Sequence, residues 1–309
     1  MAFPIAAGSV VSPAYSGTFI PQIWSSKLIE KFYAATVLAA ISNTDYEGEI
    51  KGQGDLVKIR TVPTLTINDY TAGQTLTNQR PASSVVELLI DKGKYWSAIA
   101  DDVMTVQADI DMMNKWAADA AEQMKIAIDR DVLGTIIPSF SASNRGATAG
   151  AISANINLGA TGAPLALTKV NVIDTLVDLN EVLSQQNIPE VGRFFVIPFW
   201  ASSLIKKSDL KDASMTGDGT SVMRNGRLGM IDGTTIYVSN NLAHVTDGTA
   251  SASNIIAGHK NGLTFASQLV KTETLRAEST FGDIMRGLQV YGYKVIDSTA
   301  LASAYVYKG

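Results

Sequence analysis

The most regular pattern in the chain is a run of apolar positions spaced three or four residues apart. It extends from Ile110 to Ile128, and Pro138 lies beyond its end. This spacing places the apolar side chains on one face of a helix, which a glycine and a proline then terminate. The sequence therefore predicts a long helix over about 101–134, with Asp101 and the next aspartate near its positively polarised end.

Shorter runs with the same spacing predict three more helices. One covers about Ile23–Ile41, the second begins at a Thr168 cap and ends at Asn187, and the third covers Pro198–Lys206. Between the last two, Arg193–Ile197 is continuously apolar after its arginine, which is typical of a buried strand. Three prolines in the first 22 residues argue against any helix there.

Strand and turn patterns predict hairpins in the rest of the chain. Asp55–Val62 and Val85–Ile90 are strand-like and flank a segment rich in Thr, Asn and Gln, which has too few large apolar side chains to bury itself. Asp232 and Gly233 separate two β-prone runs, as expected for a tight turn. The Tyr-rich stretch Phe281–Gly309 is also interpreted as a hairpin.

Composition favours a protein that associates with itself. Charged residues make up 17% of the chain and cysteine is absent, whereas ordinary soluble domains contain about 25% charged residues. A surface poor in charge is easily desolvated, as the cores of subunit interfaces are, although a low-charge monomer has the same composition. The net charge of −4 does not favour direct nucleic-acid binding. The sequence predicts neither a signal peptide nor a membrane span.

Patterns for catalysis or metal binding are weak. His244 and His259 lie beside turn residues, which is typical of structural or solvent-facing histidines. Asp109 and Asp111 are two residues apart on a predicted helix, so their side chains diverge and cannot share a metal or a proton. The cluster Asp129–Asp131 is interpreted as ion pairs at a helix end. No cofactor, metal or catalytic residue is predicted.

In this order, the elements resemble the major capsid proteins of tailed bacteriophages, which have the Hong Kong 97-type fold. The resemblance rests on RNGRLGMIDGTTIYVSNNL at 224–242, on FGDIMRGLQVYGYKVIDSTALASAYVYKG at 281–309, and on the arm, hairpin and long helix before them. It implies an α+β fold over essentially the whole chain. The implied parts are an N-terminal arm (1–45), an extended loop hairpin (46–98), a peripheral domain (99–140 and 262–309, with the long helix as its spine) and an axial domain (141–261).

The function implied by the resemblance is structural, without enzymatic activity. Copies of the chain are expected to form hexamers and pentamers of an icosahedral capsid, which encloses double-stranded DNA without sequence-specific binding. The implied partners are a separate scaffolding protein, a portal protein and, in some particles, a decoration protein; no membrane and no cofactor are implied. Assembly is expected in the host cytoplasm, and the mature protein is expected in the virion.

The resemblance also assigns roles to particular residues. Contacts between subunits are expected from Phe3, Ile5, Tyr15 and Phe19 of the arm and from Ile67, Tyr70, Leu76 and Arg80 of the extended loop. A loop at the capsomer centre is expected to contain Met215, Gly217, Asp218 and Gly219. Asp109, Asp111, Asp119 and Glu122 are expected to line the inner face of the shell and repel DNA; alternatively, they only solvate a helix face.

Other functions remain open from the sequence. An encapsulin-like bacterial shell protein shares the fold but encloses cargo enzymes. A soluble enzyme with carboxylate chemistry is a weaker alternative, and a secreted adhesive β-protein is weaker still.

Some shells of the resembled fold join subunits by an isopeptide bond from a lysine near the loop tip to an asparagine of a neighbour. Here residues 64–84 contain Arg80 and no lysine, so no such bond is expected.

Overall fold

The computed structural model describes residues 33–45, 56–63, 65–102, 112–208, 229–278 and 280–309. The helices are α1 (Leu38–Ile41), α2 (Met112–Thr135), α3 (Val172–Gln185) and α4 (Phe199–Lys207). The strands are β1 (Leu56–Arg60), β2 (Val85–Leu89), β3 (Lys92–Asp101), β4 (Leu165–Leu167), β5 (Arg193–Ile197), β6 (Met230–Ile231), β7 (Thr234–Val238), β8 (His244–Asp247), β9 (Ala250–His259), β10 (Leu263–Arg276), β11 (Gly282–Val295) and β12 (Leu301–Lys308). Helices and sheets together confirm the predicted α+β class.

The larger sheet has the strand order β4-β12-β9-β5-β7-β6, and β8 pairs with β9. Its central strand β5 is buried along its whole length. Phe195 and Ile197 point into the core shared with α3 and α4, while Phe194 and Val196 point into a second core on the other face. Since both faces are covered, β5 is apolar without alternation, as its sequence predicted.

The smaller sheet has the strand order β10-β11-β3, and its strands are antiparallel. The C-terminal half of α2 packs between this sheet and the larger one. The second core contains Ile128, Val132, Leu133 and Ile136 of α2, Phe194 and Val196 of β5, Leu263 of β10, Tyr291 of β11 and Leu301 of β12. Because α2 contacts both sheets, its position fixes how the two are joined.

Several predicted elements are confirmed. The strand at Arg193–Ile197 has the predicted bounds. Asp232 and Gly233 have φ angles of 50° and 68° and connect the antiparallel strands β6 and β7. Strands β1 and β2 form the predicted hairpin stem, with Leu56 opposite Leu89.

Two predicted helix starts are wrong. Residues 33–37 are not helical, and α1 begins only at Leu38, because side chains from distant segments bind this stretch; residues 23–32 lie outside the described part. For the long helix, Asp101 is the last residue of β3 and pairs with Gly282, but Asp102 is already helical, in agreement with a start near 101; residues 103–111 lie outside the described part. Helix α3 begins at Val172 after Asn171, not at a Thr168 cap.

The predicted hairpin at Phe281–Gly309 is also wrong. Its two strands belong to different sheets, since β11 pairs with β10 and β3, whereas β12 pairs with β9 and β4. Residues 92–98 therefore lie in the smaller sheet, and β12 lies in the larger sheet. Strand patterns give the face of each residue but not the identity of its pairing partner, so the sequence could not distinguish these arrangements.

Candidate functional site

The hairpin beyond the β1–β2 stem has several strongly exposed apolar side chains. Backbone pairing continues one step past the stem, where Thr61 N donates to Ser84 O at 2.9 Å. Further out, Ile67 is 91% exposed, Tyr70 70% and Leu76 68%. Exposed apolar groups in such a cluster mark interaction sites.

One side chain joins the two legs of this hairpin. Gln79 Oε1 accepts from Thr66 N at 3.0 Å, and Gln79 Nε2 donates to Thr66 O at 2.7 Å. The amide of Gln79 thus replaces one pair of backbone bonds between the legs. At the tip, Gln74 N donates to Thr71 O at 3.1 Å, and Gly73 has a φ of 87°, as a turn of this kind requires. The hairpin therefore has a defined shape without a core of its own.

The stem is attached to the smaller sheet by a small core. Ile59 and Leu88 of the stem pack with Ile90 and with Ala266 of β10. Gly292 of β11 lies directly beneath β2, so that a Cβ at this position would clash with the Leu89 carbonyl oxygen. This close contact fixes the root of the hairpin while the legs extend from it.

Beside the hairpin root, the smaller sheet has a face that combines apolar and charged groups. Tyr95 is 80% exposed and Ile99 and Leu288 are also exposed. Arg286 and Lys271 both donate to the Glu273 carboxylate, the latter at 2.8 Å. The hydrogen bond from Lys271, and then that from Arg286, lowers the pKa of Glu273. Tyr95, Trp96, Ser97, Lys271, Glu273, Arg286, Gly287 and Leu288 line an open cleft of about 430 Å³ on this sheet.

A second ion cluster lies at the far end of the same sheet. Arg276 pairs with Asp102 and, at 3.3 Å, with Asp283. The hydrogen bond from Arg276 lowers the pKa of Asp102, and both carboxylates raise the pKa of Arg276. The cluster joins β10, β11 and the residue after β3, and its one arginine and two aspartates leave a net charge of −1.

The structure describes six of the predicted site residues. Ile67, Tyr70, Leu76 and Arg80 are all exposed on the hairpin. Asp119 accepts a hydrogen bond from Tyr33 OH at 2.8 Å, and Glu122 pairs with Lys125 at 2.7 Å. The remaining predicted residues lie outside the described residues: Phe3, Ile5, Tyr15, Phe19, Asp109, Asp111, Met215, Gly217, Asp218 and Gly219.

The Asp129–Asp131 cluster is only partly a set of ion pairs. Asp131 pairs with Lys92 at 3.4 Å and accepts from Tyr291 OH at 2.8 Å. Asp129 instead is 1% exposed and accepts hydrogen bonds from backbone amides. Its burial could have been noticed in the sequence, because residues three before and three after it, Ile126 and Val132, lie on the same apolar helix face.

The described residues offer little for catalysis or membrane insertion. Within them, no group of three His, Cys, Asp or Glu side chains is placed to hold a metal ion. His244 is exposed, and His259 contacts Val191 O at 3.1 Å and Asn261 N at 3.3 Å. The helices of the described part include none with the length and hydropathy needed to cross a bilayer.

Comparisons with known proteins agree with the fold. Residues 85–304 match the model of a family described as phage capsid protein. A structure from Mycobacterium phage Che8 is 27% identical, with a TM-score of 0.77 over 94% of this chain and 98% of that one. The capsid of cyanophage P-SCSP1u is 14% identical, with a TM-score of 0.70 over 94% of both chains. A structure from Gordonia phage Cozz is 16% identical, with a TM-score of 0.63 over 100% of this chain and 98% of that one. A search of curated protein sequences finds no match.

Proposed function

Because the chain belongs to the phage capsid protein family, we propose that the exposed hairpin and the N-terminal arm link its copies into an icosahedral shell of hexamers and pentamers. The chain is a major capsid protein, a structural subunit of the virion whose copies form the shell. The observation that supports the role of the hairpin is its exposed Ile67, Tyr70 and Leu76 on legs that have no core. The encapsulin-like and enzymatic alternatives gain no support from the comparisons.

The proposal extends to the parts of the subunit. The smaller sheet and α2 would form the peripheral domain, and the larger sheet with α3 and α4 the axial domain, now including β12. Residues 1–45 would act as the arm, and residues 215–219 would lie at the capsomer centre. Asp119 and Glu122, with Asp109 and Asp111, would line the inside of the shell. Lys125 offsets the charge of Glu122, whereas Tyr33, which donates to Asp119, is neutral and leaves the charge of that carboxylate in place.

The proposed particle also needs other components. Double-stranded DNA would be enclosed without sequence-specific contacts, which fits the net charge of −4. A scaffolding protein would guide assembly in the host cytoplasm, a portal protein would occupy one vertex, and a decoration protein would bind outside in some particles.

Electron microscopy of the purified chain, alone and after co-expression with a scaffolding protein, tests the proposal. Closed shells with hexameric and pentameric units are expected in at least the second sample. A chain that remains a monomer or forms only small closed rings in both samples would contradict it. Variants Ile67→Ser and Tyr70→Ser should reduce shell yield while leaving the circular dichroism of the subunit unchanged. Val191→Ser, at an 85% exposed position of the larger sheet's loop, serves as the matched control.

A further inference from the structure

A buried carboxylate joins the segment before α1 to the middle of the subunit. Asp129 Oδ1 accepts hydrogen bonds from Val37 N at 3.2 Å and from Leu38 N at 3.0 Å. Asp129 Oδ2 accepts from Asn241 Nδ2 at 2.7 Å. These bonds connect α2, the start of α1 and the loop after β7 at a single side chain.

A second set of bonds holds the same segment two residues earlier. Ser239 Oγ donates to Ala35 O at 3.0 Å, and Asn241 Nδ2 donates to the same oxygen at 3.2 Å. Asn241 N in turn donates to Ser239 Oγ at 3.2 Å. We call this set the Asp129 latch; its members are Ala35, Val37, Leu38, Asp129, Ser239 and Asn241.

The carboxylate of the latch lacks a counter-charge among the described residues. Residues 35–43 and 239–243 contain no ionisable side chain. On α2 itself, Arg130 is exposed, Asp131 pairs with Lys92, and Lys125 pairs with Glu122. Burial raises the pKa of Asp129, against the opposing effect of its three hydrogen bonds. Among the described residues, ionised Asp129 is therefore stabilised by its neutral hydrogen-bond donors and not by a positively charged side chain.

We propose that the Asp129 latch is a proton-sensitive release point for the segment that precedes α1. Opening would expose the carboxylate to water and restore its ordinary ionisation, so opening releases a proton. The closed state binds that proton more tightly, which means that acid stabilises the closed latch and rising pH favours opening. Latch opening should depend on pH in the range between the ordinary aspartate pKa of about 3.9 and the raised pKa of Asp129 in the closed state. The proposal concerns the single subunit and does not depend on shell formation.

Hydrogen exchange measured by mass spectrometry on the full-length chain tests the latch. The peptide to follow covers residues 33–41, between about pH 4 and about pH 7, with each rate corrected for intrinsic exchange. In the wild type, the opening constant of this peptide should rise with pH, by at most about tenfold per unit. A peptide from β5 reports global unfolding, which also exposes Asp129 and carries the same pH dependence, so the latch opens by itself only if residues 33–41 exchange faster than β5.

Three variants separate the latch from general destabilisation. Asp129→Asn removes the titrating group and resembles the protonated carboxyl, so its opening should not depend on pH and should stay near the acid value of the wild type. Asp131→Asn, on the same helix but paired with Lys92, should keep the wild-type dependence. Ser239→Ala should open several-fold more at every pH with an unchanged slope, because it removes one hydrogen bond but no titrating group.

Two results would overturn the proposal. One is a flat pH profile in both the wild type and Ser239→Ala, which decides the matter even if Asp129→Asn does not fold. The other is an Asp129→Asn profile that rises as steeply as the wild type.

Discussion

At the scale of single residues, glycines in β11 mark where other groups lie against the sheet. Gly287 lies under the Trp96 indole, and Gly292 lies under the backbone of β2. Neither position requires a positive φ, so the constraint is the space that a side chain would occupy. The sequence shows both glycines, but only the structure shows which neighbour each one accommodates.

We expect Gly292→Ala to destabilise the subunit by about 1–3 kcal/mol, the usual cost of overpacking. Its Cβ would clash with the Leu89 carbonyl and lie 3.0 Å from Ile90 Cα, and these backbone atoms cannot move without shifting the hairpin root. Urea denaturation monitored by circular dichroism measures the change in the free energy of unfolding.

Gly93→Ala is the matched control for this prediction. Gly93 is in β3 of the same sheet, and the nearest atom to its added Cβ is Gln289 O at 3.9 Å. Its effect should stay within about 0.5 kcal/mol. Equal effects of the two substitutions would show that the hairpin root is not as close to β11 as described.

At the scale of elements, the sequence predicted local secondary structure well and strand pairing poorly. The spacing of apolar residues located α2 and α3, and the continuous apolar run located β5. The hairpin turn at Asp232 followed from its dipeptide. By contrast, the assignment of β12 to the larger sheet depends on its pairing with β9, which is a non-local contact. The non-helical path of residues 33–37 depends on bonds from Asp129 and Ser239, which no local pattern contains.

The candidate site was predictable to a similar extent. The exposed hairpin tip followed from its segment between two strands, which has too few large apolar residues to bury itself. The face around Tyr95, Glu273 and Arg286 was not predicted, because it combines β3 (Lys92–Asp101) with strands that begin only at Leu263 and Gly282. The buried role of Asp129 was also missed, since an aspartate on a helix is usually interpreted as an exposed residue.

Replacing residues 65–82 by a short Gly-Ser linker should give a folded subunit that does not assemble. The stem keeps its pairing up to Thr61 and Ser84, and its core of Ile59, Leu88 and Ile90 remains intact. Thermal unfolding of the subunit should therefore change little, while electron microscopy should show no closed shells. Normal assembly of this variant would show that the hairpin tip is not an intersubunit contact. A Gly-Ser replacement of residues 151–154 in an exposed loop controls for loop exchange in general.

At the scale of the whole molecule, stability is expected to depend on assembly as well as on the subunit core. Groups that are buried only between subunits stabilise the shell and not the isolated chain. This distinction separates contacts within the subunit, such as the cores around α2, from contacts that the arm and hairpin would make.

Removal of residues 1–22 tests this distinction for the arm. The truncated subunit should melt near the temperature of the full chain, whereas its shells should melt or dissociate at a lower temperature, because the apolar groups of the arm would be buried between subunits. Differential scanning calorimetry of both forms measures the two effects. A similar loss in subunit and shell would instead place the arm in the core of its own subunit.

Mature particles should be held together without covalent bonds between subunits. An isopeptide bond needs a lysine amine at the hairpin tip, but residues 65–84 contain only Arg80 as a cation, and a guanidinium stays protonated and supplies no free amine at neutral pH. The nearest described lysines are engaged at the root, where Lys58 pairs with Glu87 at 3.6 Å and Lys92 with Asp131 at 3.4 Å. Particles boiled in detergent should therefore migrate as one band at 32.8 kDa. A ladder of multimers on the same gel would show that another lysine reaches a neighbouring subunit.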